Sequence, residues 1–360
     1  VYELRLDYRN VAYFNSLPSY ANPLLAEGFV FSQRAMDLRR RQFDAELKIK
    51  PGAKVSPFLA FSHGSGYGSG ITTFVADGNE FPLGTDLRDR TQTFRGGVHV
   101  NLSKLNVTLE QGGTTFRDDQ EIAFARGNNF GNRRATLFGR PVRLDQIQEA
   151  WSARGDGIFN RAVIHASPFS KLSFTGQFLY SQPSIDVRHQ VQNGGEFFLL
   201  SAIAPYTGLL ERSNGAALRP HPSGSWSTEI RPFSRLRIIQ SWYTDRFHMS
   251  GSVALAQTYN TTPATNYVSF AADLLVVNYS QHQVDAIVEA GPLTLRGGHR
   301  YVWGDAVTRA PTLSTGGPQR EGELRRQVAL AGGSVRAGSR FYVNVDFEAR
   351  SDLMLSVSSL

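Results

Sequence analysis

The sequence contains no cysteine, which excludes disulfide bonds, thiolate-ligated zinc, iron–sulfur clusters and a thiol nucleophile. It also has no run of about 18 apolar residues, so no segment predicts a transmembrane helix. Lysine is scarce, because only five of the 38 basic residues are lysines and the rest are arginines. A net charge of +7 can indicate nucleic-acid binding. No long basic run or nucleic-acid-binding motif accompanies this charge, and we therefore predict no nucleic-acid partner.

Apolar and polar residues alternate strictly in several segments. The clearest of them are 2–9, 43–50, 93–102 and 341–350. A period of two is that of a β-strand whose two faces meet different surroundings. Aromatic residues make up 11% of the chain, which argues against disorder. The pattern therefore predicts an all-β protein.

Short turns rich in Pro, Gly and Ser join the predicted strands as hairpins. The turns lie at 51–54, 103–104, 167–170, 231–234, 290–292 and 336–339. Longer polar stretches separate the hairpins, at 10–34, 64–90, 118–156, 183–224, 248–270 and 305–321. All short turns thus fall at one end of the predicted sheet and all long loops at the other. This asymmetry is typical of bacterial outer-membrane β-barrels, which have short periplasmic turns and long extracellular loops.

The two faces of the predicted strands fit the same class. The polar face carries opposed charges, Gly and Ser, and in a wide barrel such a face lines water while the apolar face meets lipid. Aromatic residues expected at the lipid head groups are Tyr8, Phe61, Tyr180, Trp242, Tyr301 and Trp303 near the long loops, and Phe43, Phe169, Phe233 and Phe341 near the turns. We predict an antiparallel transmembrane β-barrel of about 14 or more strands.

The predicted barrel occupies the whole chain, 1–360, as a single domain. The visible strand count is odd or uncertain, whereas single-chain bacterial barrels close with an even number. The last strand also lacks the terminal aromatic residue that is usual in this class. We therefore expect strands or a plug to be missing at one or both ends.

In these features the chain resembles the bacterial outer-membrane β-barrel (porin-like) class along nearly its whole length. The resemblance implies a Gram-negative outer membrane, contact with lipid and lipopolysaccharide, and a role in transport. A narrower resemblance is to the barrels of porin–cytochrome conduits, which sheathe a multihaem cytochrome. The cysteine pair of those barrels is absent here, and a cysteine-free chain has no haem-attachment motif. Any haem would belong to a partner, and we predict no cofactor for this chain.

The polar face supplies the candidate lumen lining. Its predicted members are Arg5, Asp7, Arg9, Glu46, Lys48, Arg95, His99, Arg161, Arg296, Arg300, Asn344 and Asp346. Basic and acidic residues nearly balance along the predicted inward positions, so we expect weak ion selectivity.

The stretch 118–156 has a helical signature, because Leu144, Ile147 and Trp151 recur at helical spacing. Such a loop can fold into a barrel and narrow it, or it can cap the loops from outside. The sequence leaves both arrangements open. The side chains that would form a constriction are Arg126, Arg133, Arg134 and Trp151.

Catalytic and metal-binding motifs find little support. The glycine-rich stretch 66–70 lacks the following helix that a phosphate-binding loop needs, and none of the eight histidines belongs to an H-E-x-x-H pair. The acidic clusters lack EF-hand spacing, so we predict no metal site and no enzyme. The leading hypothesis is a passive channel for small polar solutes. The alternatives are a structural sheath for a partner such as a multihaem cytochrome, and an outer-membrane enzyme. A homo-oligomer and a periplasmic or extracellular protein partner stay open.

Overall fold

The computed structural model describes residues 2–15, 36–125, 127–131, 136–199, 201, 204–309, 319–337 and 341–358. Within them the chain forms strands and no helix. The strands are β1 (Tyr2–Asn15), β2 (Met36–Ile49), β3 (Val55–Ala76), β4 (Asn79–Leu102), β5 (Leu105–Phe124), β6 (Thr136–Leu137), β7 (Arg140–Pro141), β8 (Arg143–Phe169), β9 (Leu172–Leu199), β10 (Ala204–Leu218), β11 (His221–Phe233), β12 (Leu236–Tyr259), β13 (Thr265–Ala290), β14 (Leu293–Arg309), β15 (Gln319–Ala337) and β16 (Phe341–Ser358).

One antiparallel sheet contains 14 of these strands, and β6 and β7 form a separate two-stranded hairpin. Neighbours in the sheet follow the chain order from β1 to β16, so the sheet is built from successive hairpins. β10 and β11 lie end to end between β9 and β12 and keep a common register with both neighbours. The predicted fold class, an all-β antiparallel barrel of about 14 strands, is confirmed.

The short turns gather at one end of the sheet and are tied to one another. Gly52 and Gly291 sit in two of them with φ angles of 79° and 63°, a backbone conformation that glycine adopts without strain. Lys104, in the turn between β4 and β5, donates a hydrogen bond of 2.8 Å to the carbonyl of Pro168 near the next turn. Lys171 does the same to Pro232 at 3.3 Å. These bonds link neighbouring hairpins at the rim.

The register assigns each side chain to one of two faces, because directly paired residues on adjacent strands point the same way. On one face, side chains two strands apart meet. Arg95 of β4 reaches Glu46 of β2 at 3.2 Å, across β3, and Arg300 of β14 lies 3.8 Å from Glu348 of β16, across β15. Such contacts across an intervening strand are favoured on the concave side of a curved sheet, and we call this the inner face. The outer face carries apolar side chains such as Leu59, which is 61% exposed.

The sequence analysis placed Phe43 near the short turns, and this is wrong. Phe43 of β2 lies directly opposite Tyr8 of β1, which was expected near the long loops. Phe43 also contacts Phe61, and Phe61 contacts Phe94, with ring centroids 6.3 and 4.7 Å apart. We call Phe43, Phe61 and Phe94 the aromatic row. The part of the barrel between this row and the short turns is the lower section, and the part beyond it is the upper section.

Strands continue through most of the stretches that the sequence analysis assigned to loops, so those boundaries are wrong. β3 and β4 cross the whole stretch 64–90 except for a tight turn at Asp77 and Gly78, which have φ angles of 50° and 71°. Strands also occupy much of 118–156, 183–224 and 248–270. Residues 16–35 and 310–318, from the predicted loops 10–34 and 305–321, lie outside the described residues. The extracellular position of these stretches stays a prediction.

The helix predicted within 118–156 is also wrong, because residues from Arg143 onward belong to β8. The register of β8 against β9 shifts between Leu144 and Gln146. This bulge adds one residue to the strand and brings Leu144 and Ile147 to the same side. Both are buried, at 0% and 2% exposure. The spacing of three that resembled a helix therefore comes from a β-bulge.

Gly298, on the inner face, makes room for a carboxylate from the neighbouring strand. A Cβ at this position would overlap Asp285 and come 2.8 Å from the carbonyl oxygen of Val284. We expect Gly298→Ala to lower the free energy of unfolding by about 1–3 kcal/mol, as overpacking usually does. The matched control is Gly297→Ala, because an added Cβ there meets no atom within 4 Å. Urea unfolding in lipid vesicles measures both, and equal losses would contradict the assigned packing.

Candidate functional site

The inner face carries all of the predicted lumen residues, with Arg9 just beyond the aromatic row. Following the paired residues from β1 round to β16 places every one of them on this face: Arg5, Asp7, Arg9, Glu46, Lys48, Arg95, His99, Arg161, Arg296, Arg300, Asn344 and Asp346. They come from β1, β2, β4, β8, β14 and β16, so they surround the interior and do not form one local cluster.

Opposed charges on this wall pair across strands. Arg95 lies between two carboxylates, 3.2 Å from Glu46 and 3.5 Å from Glu110. Lys48 also contacts Glu46, at 3.1 Å. The side chain of Arg95 keeps 39% of its surface exposed. Partly exposed pairs of this kind contribute little to stability. Their main effect is to cancel much of the wall's net charge.

A second group of pairs lies on the opposite part of the sheet. Arg296 contacts Asp285 at 3.0 Å. Arg300 donates to Gln283 at 2.7 Å and lies 3.8 Å from Glu348. Glu348 also accepts from Arg350 at 2.9 Å. The charges on β13, β14 and β16 are thus interleaved in the same way as those on β2 and β4.

Arg161 differs from these arginines, because no carboxylate of the described residues lies within ion-pair distance of it. Next to it is a cavity of about 380 Å³. The cavity walls include the inner-face side chains of Glu110, Phe159, Gln177, Leu179, Ser223 and Tyr243. A free guanidinium beside an aromatic ring and amide and hydroxyl groups can hold a small anionic or polar solute.

The upper section has a dry cluster on its inner face. Its buried members are Phe81, Leu83, Ile122, Val142, Leu144, Ile147, Val191, Phe197 and Tyr206. Burial raises the pKa of the Tyr206 hydroxyl because a phenolate would lose its hydration there. Asp77, at the tip of the β3–β4 hairpin, accepts a hydrogen bond of 2.7 Å from the backbone N–H of Phe198. Burial nevertheless raises its pKa.

Part of the connection between β5 and β8 packs onto this cluster. Val142 is 2% exposed within it. Asn79 donates a hydrogen bond of 2.8 Å to the carbonyl of Phe130, and Asn128 donates its N–H to Asp145 at 2.9 Å. The connection is therefore fastened to the upper wall and narrows the interior on the side of β3 to β10.

Of the predicted constriction residues, Trp151 lies on β8 and the other three, Arg126, Arg133 and Arg134, lie outside the described residues. Trp151 is on the inner face, with its ring 5.5 Å from that of His189. His189 contacts Glu149 at 2.8 Å and Glu211 at 3.6 Å.

The sequence analysis did not identify this His189 group, because it placed residues 183–224 in a loop. The signal was nevertheless present. Val187, His189 and Val191 alternate with Arg188, Gln190 and Gln192, which is the period of a strand.

Two further searches cover the described part of the chain only. No group of three or more His, Asp or Glu side chains there is placed to hold a metal ion. No helix there has the length and apolar character needed to cross a bilayer.

Comparisons with known proteins add little. No protein-family model matches the chain, and no curated protein matches it. Among solved structures, it is similar to the open form of the ferric-catecholate import receptor Fiu from E. coli K12. That match has 9% sequence identity and a TM-score of 0.36, and it covers 99% of this chain and 71% of the receptor chain. A likeness at this level carries no conclusion about this chain.

Proposed function

We propose that the chain forms a passive, water-filled channel for small polar solutes in a bacterial outer membrane. The observation that carries this proposal is the state of the inner charges in the lower section. A barrel filled by its own side chains would bury them, yet Arg95 and Arg296 keep 39% and 44% of their side-chain surface exposed. Charged side chains that line a wide barrel and stay accessible favour a hydrated interior.

The outer face of the lower section supports a membrane location. Leu4, Leu59 and Leu109 are exposed there, at 61%, 61% and 48%, and the aromatic row borders them. A continuous exposed apolar surface would associate or aggregate in water, whereas the hydrocarbon of a bilayer covers it. A sheet in which neighbouring strands satisfy the backbone hydrogen bonds can meet this lipid.

In the proposed mechanism, solutes diffuse along a wall of interleaved charges and are selected by width and electrostatic field. The dry cluster narrows the path in the upper section. Arg161 and its cavity offer a weak stopping point lower down. Such a pathway needs no catalytic group.

The proposal is tested by conductance in planar bilayers. We expect a reversal potential near zero in a tenfold KCl gradient, because the pairs on the inner wall nearly cancel. The double variant Glu46→Gln/Glu110→Gln should shift the reversal potential clearly towards anion preference, since it leaves Arg95 without its two carboxylates. The matched control Asp156→Asn/Asp186→Asn removes the same charge from the outer face and should leave the reversal potential unchanged.

Absence of conductance would count against the channel. Strong cation preference of the unchanged protein, or equal shifts in the two double variants, would contradict the assignment of the inner and outer faces. A preparation that carries a haem protein and does not conduct would instead favour the sheath.

A further inference from the structure

Arginines gather on the outer face immediately beyond the aromatic row. Arg39 and Arg88 lie directly opposite Tyr67, on β2 and β4, and Arg41 and Arg90 lie directly opposite Ser65. The four guanidiniums thus stand in two rows on either side of β3. We call Arg39, Arg41, Arg88 and Arg90 the arginine patch. The second row continues on β5 and β8 with Arg117 and Arg154.

Carboxylates of the described residues lie near the patch but form no ion pair with it. Asp119 is directly opposite Arg88, and its two oxygens are engaged by Arg117 and Arg154. All four arginines are exposed, and none has an ion pair with a carboxylate among the described residues. Near the patch, Asp37 and Asp86 line a groove of about 440 Å³ together with Arg39, Tyr67, Ser69 and Arg88, yet neither carboxylate is within 4 Å of a patch guanidinium.

Tyr67 shows that the patch creates a field for anions. Arg41 donates a hydrogen bond of 3.2 Å to the Tyr67 hydroxyl, and its guanidinium lies 5.2 Å from the ring centroid. A hydrogen bond from Arg39 and the charges of Arg39 and Arg41 lower the pKa of this hydroxyl. The same donors can serve an external oxyanion.

The distance of the patch from the aromatic row indicates which anions it meets. Arg41 is two residues beyond Phe43 on β2, a step of about 7 Å along a strand. Arg88 is six residues beyond Phe94 on β4, about 20 Å along the strand. Aromatic rings mark the level of the lipid head groups, so the patch extends outward from the depth of the lipid phosphates. Arginine binds phosphate with two parallel hydrogen bonds, and clustered arginines attract anionic lipid.

We infer that the arginine patch binds the phosphates of lipid A, the diphosphorylated glucosamine lipid of lipopolysaccharide, in the leaflet on the long-loop side. This inference rests on the proposed outer-membrane location. Arg39 and Arg88 line the groove, and Arg41 and Arg90 stand one row nearer the aromatic row. Two pairs of guanidiniums suit a head group with two phosphates better than a zwitterionic head group with one. The bound lipid would cover the outer face of β2 to β4.

The test compares lipid retained by the full chain after extraction from outer membranes in mild detergent, measured by native mass spectrometry. The variant Arg39→Gln/Arg41→Gln/Arg88→Gln/Arg90→Gln should retain at least roughly tenfold less lipid A, since each arginine near such a surface contributes about fivefold. The matched control is Arg212→Gln/Arg246→Gln/Arg309→Gln/Arg325→Gln. It removes the same charge from scattered outer-face positions and should retain lipid A.

Titration of the detergent-solubilised protein with single lipids separates the lipid sources. The unchanged protein should bind added diphosphorylated lipid A, and it should bind dephosphorylated lipid A or phosphatidylglycerol at least tenfold less. Equal binding to phosphatidylglycerol, or equal retention by the patch variant and the control, would overturn the inference. Conductance is measured on the same preparations. A channel that conducts without lipid A binding refutes only the patch, whereas lipid A binding without conductance refutes only the channel.

Discussion

Replacing Leu144 with Ala is expected to destabilise the packing of the upper section by about 2–5 kcal/mol. Leu144 is completely buried in the dry cluster, and deletion of such a side chain loses its transfer free energy and leaves a cavity. The effect should be local, because the cluster lies beyond the aromatic row. Hydrogen exchange of the backbone amides in 140–147 and 191–199 measures it.

A leucine on the other face provides the control. Leu210 of β10 pairs with Gln192 and Thr258 on the outer face, so Leu210→Ala should change the same exchange rates little. Leu144→Ala should also increase single-channel conductance if the cluster narrows the path. Unchanged exchange in Leu144→Ala would show that the cluster does not hold the connection between β5 and β8.

Placing Arg at Val345 is expected to lower the free energy of unfolding in lipid vesicles by about 2–4 kcal/mol if this residue lies near the bilayer midplane. Val345 is 63% exposed on the outer face of β16, so the guanidinium would enter hydrocarbon. Asn344 is the matched neighbour. It points to the inner face and donates a hydrogen bond of 2.6 Å to Asp346.

Asn344→Arg should therefore lower the free energy of unfolding much less, because its charge stays in water beside a carboxylate. Urea titration of both variants in the same vesicles gives the difference. Equal losses in the free energy of unfolding at the two positions would contradict the assignment of the faces and, with it, the proposed membrane location.

The sequence predicts the lower section well because one signal, the period of two, coincides there with a contrast between an apolar outer face and a charged inner face. Residues such as Arg5, Glu46 and Asp346 alternate with apolar neighbours, and the pairing brings them to one face. Which of them touch was not predictable. Arg95 meets Glu46 across an intervening strand, and such a contact depends on curvature, which the pattern does not encode.

The upper section was mispredicted for a physical reason. Its strands keep the same period, but the polar side chains now lie outside and the apolar ones inside. In β5, Val107 and Leu109 on the outer face give way to Arg117 and Asp119, while Ile122 lies within the dry cluster. The sequence analysis expected apolar residues on the outer face. It therefore took this segment, whose outer face is polar, for a polar loop. The bulge at residue 145 gave the strand a spacing of three between apolar residues, which was read as a helix.

If the barrel occupies the proposed outer membrane, the change of polarity along β5 marks the bilayer boundary by exchanging the apolar and polar faces within one uninterrupted strand. A single residue inserted between Gly112 and Thr114 would shift the alternation of the two faces by half a period. Above the insertion, Arg117 and Asp119 would be driven into the interior and Ile122 out towards water, while Val107 and Leu109 below would keep their lipid contact. The number of residues in this part of β5, and not only their composition, is therefore constrained. Insertions in this short interval should be far less tolerated than insertions at the tip between Asp77 and Gly78, where no such alternation has to be preserved.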